Sequence, residues 1–353
     1  MGTHPNGPSK LSEGYLYDFL KSNPSFLGSK ITALFGNDLP FLFKVLSISK
    51  ALSIQAHPDK SLAESLNKKF PHIYKDSNHK PEMAIALTSF EALSGFRTDS
   101  AIKNNLKNYP ELKELLDEAI VMDFMKSSGP FVKESLRKLF SCLMKLDDSK
   151  IKQSLVKLME RIQSLPNKSS TDELIKRLYE QYPGDVGCFC VLFLNYVKLE
   201  PLQAFYMGPN EPHAYISGEC LECMATSDNV VRAGLTPKFK DVDVLCSMLT
   251  YESTDPQEQL LVPSKYRAYS SLYAPPIAEF SVLVCNLERG NKEHYDPFDG
   301  PSIFICVKGK GNVSINGSEH EVEMGSVLFV PFNSRLEFSS HGDFLFALAF
   351  CSQ

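Results

Sequence analysis

A chain of 353 residues, 43% of them apolar, is long for one core and has room for two or three. A net charge of −5 and a pI near 6.0 argue against a general nucleic-acid or anionic-membrane surface, and the longest apolar run, 186–197, is broken by Asn195 and too short to span a bilayer. Nine cysteines, an odd number among apolar neighbours, fit reduced thiols in a cytoplasmic protein, and residues 1–10 lack the apolar core of a signal peptide.

Residues 1–8 are polar and turn-like. A short helix is predicted over 12–20 with Ser12 as its cap. Strands are predicted over 39–54, where FLFKVLSI is rich in strand formers. Gln55 and His57 follow two apart, so on an extended chain both project to one face, and Pro58 forbids ladder pairing at its own position. A helix over 61–69 carries Glu64 early and Lys68 and Lys69 late, as the helix dipole prefers. Strand and loop return over 81–96, with Met83, Ile85 and Leu87 alternating.

From 99 to 199 the period becomes helical. Val132, Leu136, Leu139, Phe140, Leu143 and Leu146 form one apolar stripe, and Ile151, Leu155, Leu158, Met159, Ile162 and Leu165 another. Ser170 to Glu173 offers a capping box. Asp185 is expected to cap a last helix that is apolar on nearly every side and therefore buried. Strands dominate after 202, in segments such as 281–287, 302–307 and 312–315, and Asn316-Gly317 signals a hairpin. Regular short strands with Gly and Asn turns point to a jelly roll. Gly325 followed by Pro331 has a cupin-like spacing, but Phe332 and Asn333 come next and no metal-binding His does, so the C-terminal barrel is expected to be an empty relative of a metal barrel.

Two further segments place metal-competent groups beside prolines: NHKPE at 78–82 and NEPHAY at 210–215. Gln55, His57, Glu82 and His213 would make a set of two imidazoles, one carboxylate and one amide oxygen, which leaves a divalent ion net positive. Against this, a lone His on a strand is more often a structural residue, and spacing alone does not join positions so far apart. Cys220 and Cys223, in CLEC, have no second CxxC to complete a zinc site and read as buried thiols on a strand.

FLFKVLSI, LSIQAHPDK, NHKPEMAIALTSFEALSGFR, PNEPHAYISGECLECMA and SDNVVRAGLTPKFKDV, in that order, resemble successive signatures of the type I mannose-6-phosphate isomerases, also called phosphomannose isomerases. The resemblance runs from Met1 to about Val244 and more weakly to the C-terminus. It implies a mainly β fold of two cupin-like jelly-roll barrels with a helical insertion. The expected units are 1–98 and 200–262 for the metal barrel, 99–199 for the insertion and 263–353 for the empty barrel. It implies one zinc per chain on Gln55, His57, Glu82 and His213, and a catalytic arginine at Arg232. The implied activity interconverts mannose 6-phosphate and fructose 6-phosphate through an enediol, supplying mannose phosphate for GDP-mannose and glycosylation. A cytoplasmic monomer acting on a hexose 6-phosphate, with no nucleic-acid or membrane partner, is expected.

The proton-transfer base is left open among His79, Glu222 and Lys44, and Lys44 and Lys80 are the second candidates for the phosphate. Lys44 lies in a strand where it faces either inward or the solvent. Two departures stand out. The family carries several tens of residues, tryptophans among them, before MGTHPNGPS, whereas this chain has no Trp, so an inactive or unstable sugar-phosphate binder is the alternative to an active enzyme. Pro201-Leu202-Gln203 also stands where the family has a glycine turn. A cupin oxygenase with Fe(II) is a weaker reading, disfavoured by Gln55 and Arg232.

Overall fold

Two large antiparallel sheets, a small two-stranded hairpin near the N-terminus and a block of helices make up the fold; the computed structural model describes residues 1–351. The protein is mainly β with a helical insertion, as the sequence implies. Among the described residues no helix is long and apolar enough to cross a membrane.

The first sheet has nine strands, and the His213–Ala225 strand lies at its centre. It pairs antiparallel with Phe41–Ile48, Ile54–Ala56, Glu82–Ala86 and Phe90–Phe96. One strand serves so many neighbours because it bends at Gly218, whose φ of +104° favours glycine; an added Cβ would stand 2.4 Å from Ser89 O. The ladder to Phe90–Phe96 shifts register two residues earlier, at Ile216, where Glu91 pairs with Ser217 but Ala92 with Tyr215. A bulge resets the two-residue period of a strand. Before it His213 and Tyr215 share a face; beyond it Cys220, Glu222 and Met224 do. Tyr215 and Cys220 nonetheless lie in one interior cluster with Phe90 and Phe205. Glu222 lies nine positions past His213, an odd offset that would set them on opposite faces of an unbroken strand.

The outward face of this sheet is not solvated. Phe41, Phe43, Met83, Ile85, Leu221 and Cys223 pack against Val282, Val284, Ile303, Ile305, Ala347 and Ala349 of the second sheet. That sheet has eight strands, with Ser302–Ile315 and Leu336–Phe350 as its long members. Asn316 and Gly317 turn the hairpin with φ of +51° and +87°. Rings of Tyr295, Phe304, Phe338, Phe344 and Phe346 fill the interior, where Phe338 and Phe346 stack at 4.3 Å.

Both long amphipathic stripes form as expected, in helices Val132–Met144 and Asp148–Ser164. Several local expectations are corrected. The first helix is Leu16–Ser22 with Tyr15 at its N-cap, so Ser12 caps nothing. The capping box is Ser169 with Asp172, one residue earlier than expected. The apolar run 186–197 is not one helix. It gives a single turn, Gly187–Cys190, then a strand, Leu194–Leu199, paired with Phe90–Phe96. A run apolar on every side carries no period, and the available partner strand decides it. The turn at 201–203 forms without glycine: Leu202 takes φ +68°, its N–H bonds Ala86 O at 2.8 Å, and its carbonyl accepts from the Tyr273 hydroxyl at 2.7 Å.

Candidate metal centre

His57, Glu82 and His213 come from three different segments and meet with ligand atoms all within 4.8 Å of one another. His57 Nε2 stands 3.3 Å from Glu82 Oε1, and His213 Nε2 stands 3.4 Å from Glu82 Oε2. All three residues are buried, yet both Nε2 atoms lack a hydrogen-bond partner. A buried polar nitrogen without a partner is costly unless a ligand satisfies it. The opposite ring nitrogens explain the arrangement. His57 Nδ1 donates to Asn229 O at 2.6 Å, and His213 Nδ1 donates to Glu211 O at 3.0 Å. Each carbonyl fixes the proton on Nδ1 and leaves the Nε2 lone pair pointing into the cluster, as a metal requires. Burial pushes His57 down to about 4, so it is a neutral donor at pH 7. Burial acts to raise the Glu82 carboxyl, but His57, Lys80 and His213 outweigh it and hold the group well below the usual range. Two imidazoles that turn their Nε2 atoms into the cluster, and one carboxylate, fit a divalent ion of the zinc class.

Register supplies the flank. Gln55 sits directly opposite His213 on one side and Arg232 on the other, so Arg232, Gln55 and His213 form a row across three strands. The Gln55 amide oxygen accepts only a long bond from Ser53 Oγ, at 3.4 Å. Arg232 is half-buried and makes no hydrogen bond or ion pair with any described residue. Lys80 Nζ lies 3.3 Å from Glu82 Oε1.

A polar knot behind the cluster holds the His57 partner in place. The Asp76 carboxylate accepts from Asn78 N, Ser227 Oγ, Asn229 Nδ2 and Asp228 N at 2.7–3.1 Å. Asp76 therefore ties the segment leading to Glu82 to the segment leading to Arg232. No sequence pattern marks it; only the fold brings the two loops together.

Lys44 faces inward. Its Nζ pairs with Glu222 at 2.6 Å and approaches Met224 Sδ at 3.0 Å. Burial acts to lower Lys44, but Glu222 outweighs it and raises the group, so it is firmly protonated at pH 7. Glu222 is 4% exposed. Beside it lies Tyr215, whose buried hydroxyl has no partner; burial and the carboxylates of Glu222 and Glu82 push its phenol well up. The sequence reading missed Tyr215, though its place two residues after His213 on one strand puts both on the same face. His79 is not brought to the cluster: its Nε2 pairs with Glu279 of the C-terminal half at 2.5 Å. Cys220 and Cys223 are free, buried thiols in different apolar clusters, on opposite faces of their strand, as the reading of CLEC as buried thiols expected.

Three family models match in order along the chain: phosphomannose isomerase type I, catalytic domain, over residues 1–99; its helical insertion domain over 110–194; and its C-terminal part over 270–318. The mannose-6-phosphate isomerase of Cryptococcus neoformans is 44% identical, over 96% of this chain and 86% of that protein. The chain belongs to the type I phosphomannose isomerase family. Mannose-6-phosphate isomerase 1 of Arabidopsis thaliana is 43% identical, over 97% of this chain and 82% of that protein. Among solved members of the phosphomannose isomerase family, the apo mannose 6-phosphate isomerase of Salmonella typhimurium superposes with a TM-score of 0.89 at 29% identity, covering 100% of this chain and 90% of that one. A mannose 6-phosphate isomerase bound with zinc and yttrium superposes with a TM-score of 0.88 at 29% identity and the same coverage. The fold is thus the cupin fold of the phosphomannose isomerases.

Proposed function

We propose that the protein is a mannose-6-phosphate isomerase that uses a bound zinc ion, one per chain, to interconvert mannose 6-phosphate and fructose 6-phosphate through an enediol. The observation that carries the metal is the pair of buried, partnerless Nε2 atoms facing Glu82. His57, Glu82 and His213 would hold the ion, and Gln55, in the row beside His213, would add its amide oxygen. When bound, the ion polarises the sugar oxygens as a Lewis acid.

The remaining work falls to side chains. Arg232 offers an unpaired, planar guanidinium beside Gln55, suited to a phosphate or to the charge that develops on the enediol oxygens. Lys44, held protonated by Glu222, is a second cation for the substrate, and Lys80, beside Glu82, a third. A group protonated at neutral pH is a poor base, and His79 is engaged by Glu279. We therefore assign the proton shuttle between C1 and C2 to Glu222, with the Tyr215 hydroxyl beside it. Segments 1–98 and 200–262 would act as the catalytic barrel, 99–199 as an insertion whose last strand joins the catalytic sheet, and 263–353 as a packing barrel. A cytoplasmic monomer supplying mannose phosphate for GDP-mannose and glycosylation completes the reading.

The test is a coupled assay on mannose 6-phosphate in deuterated water, with metal content measured on the same sample. Turnover with about one zinc per chain, deuterium at C1 of the fructose 6-phosphate formed, and loss of both metal and rate in His57→Ala are expected. Full turnover in metal-free protein, or full metal occupancy in His57→Ala, would refute the reading.

A further inference from the structure

The helical insertion meets the catalytic barrel at several polar points, among them Gln181 and Tyr182 on Ala51 and Arg177 on Glu91, and one of these points, at Asp185, lies at the end of the strand that carries Arg232. We infer that Asp185, on the insertion, is a positioning residue for Arg232. The inference rests on the reading of Arg232 as a group that contacts substrate.

The Val231–Gly234 strand is short and lies at the sheet edge, with Ile54–Ala56 as its only strand neighbour among the described residues. Even that ladder shifts register between Arg232 and Gly234. An edge strand of four residues has one row of hydrogen bonds and needs further restraint to hold a direction. The Arg232 side chain supplies none, since it has no partner among the described residues. The backbone that aims it must be fixed from elsewhere.

Asp185 fixes it. Its Oδ1 accepts from Leu235 N at 2.6 Å and from Gly187 N at 2.7 Å, and its Oδ2 accepts from Thr236 N at 3.3 Å. Leu235 has a φ of +53°, which a leucine adopts only when its surroundings impose it. The two backbones touch directly. A Cβ added at Gly234 would lie 2.7 Å from Gly187 Cα, and one added at Gly187 would lie 2.7 Å from Leu235 N. No side chain fits between them, so the carboxylate reaches both amides. On the other side Asp185 is anchored by the insertion, where Cys188, Phe189 and Cys190 are fully buried. The sequence reading placed Asp185 as a helix cap. It does bond the Gly187 amide, but two of its three N–H partners belong to the turn three residues past Arg232.

The consequence is kinetic. A catalytic group displaced by about 1 Å loses on the order of 10² in rate without contacting anything new. The experiment is a double-mutant cycle on the full-length, metal-loaded chain, with metal content and thermal midpoint recorded for each variant. Asp185→Ala is expected to lower kcat by about 10–100-fold with metal content unchanged. Asp185→Asn, which keeps one acceptor oxygen for the Leu235 and Gly187 amides, is expected to recover most of the rate. In an Arg232→Ala background, Asp185→Ala is expected to cost no more than about twofold, because nothing remains to be positioned. An equal loss in both backgrounds would overturn the inference while leaving the role of Arg232 intact. Full turnover in Arg232→Ala alone would instead overturn the reading of Arg232, and the inference with it. Where the alanine variant does not fold, Asp185→Glu, which keeps the charge and displaces the carboxylate by one methylene, runs the same cycle.

Discussion

Gly218→Ala probes the glycine that follows the register shift in the central strand of the first sheet. The glycine has a φ of +104°, and an alanine Cβ would lie 2.4 Å from Ser89 O and 2.9 Å from Phe90 Cα. Both are backbone atoms, so neither can swing away as a side chain would. The unfavourable backbone region costs about 1–2 kcal/mol, and forcing the strands apart costs about 1–3 kcal/mol more. The sum, about 2–5 kcal/mol, is a large share of a margin of about 5–15 kcal/mol. At about 2–4 °C per kcal/mol the thermal midpoint should fall by on the order of 10 °C. Metal retention should suffer too. His213 precedes the bend, whereas Glu82 pairs with Met224 beyond it, so the cluster spans the bend. The assay is a circular dichroism melt with metal analysis after desalting. A midpoint within about 2 °C of the parent together with unchanged metal content would refute the argument that this bend sets the interior face.

Arg232→Lys should keep fold and metal but lose about 10²–10³ in kcat, because lysine keeps the charge without the paired donors; near-normal turnover would make Arg232 structural. Cys220→Ala with Cys223→Ala should leave the zinc count unchanged, since the two thiols lie in different clusters; loss of a metal would make CLEC a ligand pair. In chelator-treated protein, burial holds His57 at about 4 against an ordinary 6.5, so the unfolded chain takes up a proton that the folded chain refuses. Stability should therefore fall as pH drops below about 6.5 and level off near 4, by about 3 kcal/mol for this group; urea denaturation midpoints that do not move between pH 7 and 4 would contradict it.

Local chemistry and ordered motifs were legible from the residues. The helical stripes, the Asn316-Gly317 turn, the pairing of Gln55 with His57, and the strings that mark the family all depend on neighbours within a few positions. Periodicity failed where no period existed, as in 186–197, where a partner strand chose the structure.

Sequence by itself determined the family, the mainly β architecture with its helical insertion, and three of the side chains that meet at the metal centre. Only tertiary structure decided how they meet. The bulge at Ile216, just before Gly218, turns an odd separation into a shared interior, so that Lys44 finds Glu222 and Tyr215 lies beside them. The carbonyls of Asn229 and Glu211 choose the imidazole tautomers. Asp76 and Asp185 grip the two ends of the segment bearing Arg232 from loops about 150 and 50 residues away. These are contacts between segments far apart in the chain. Nothing in the residues between such segments records the contact, because it is made by strand register and loop closure rather than by local preference.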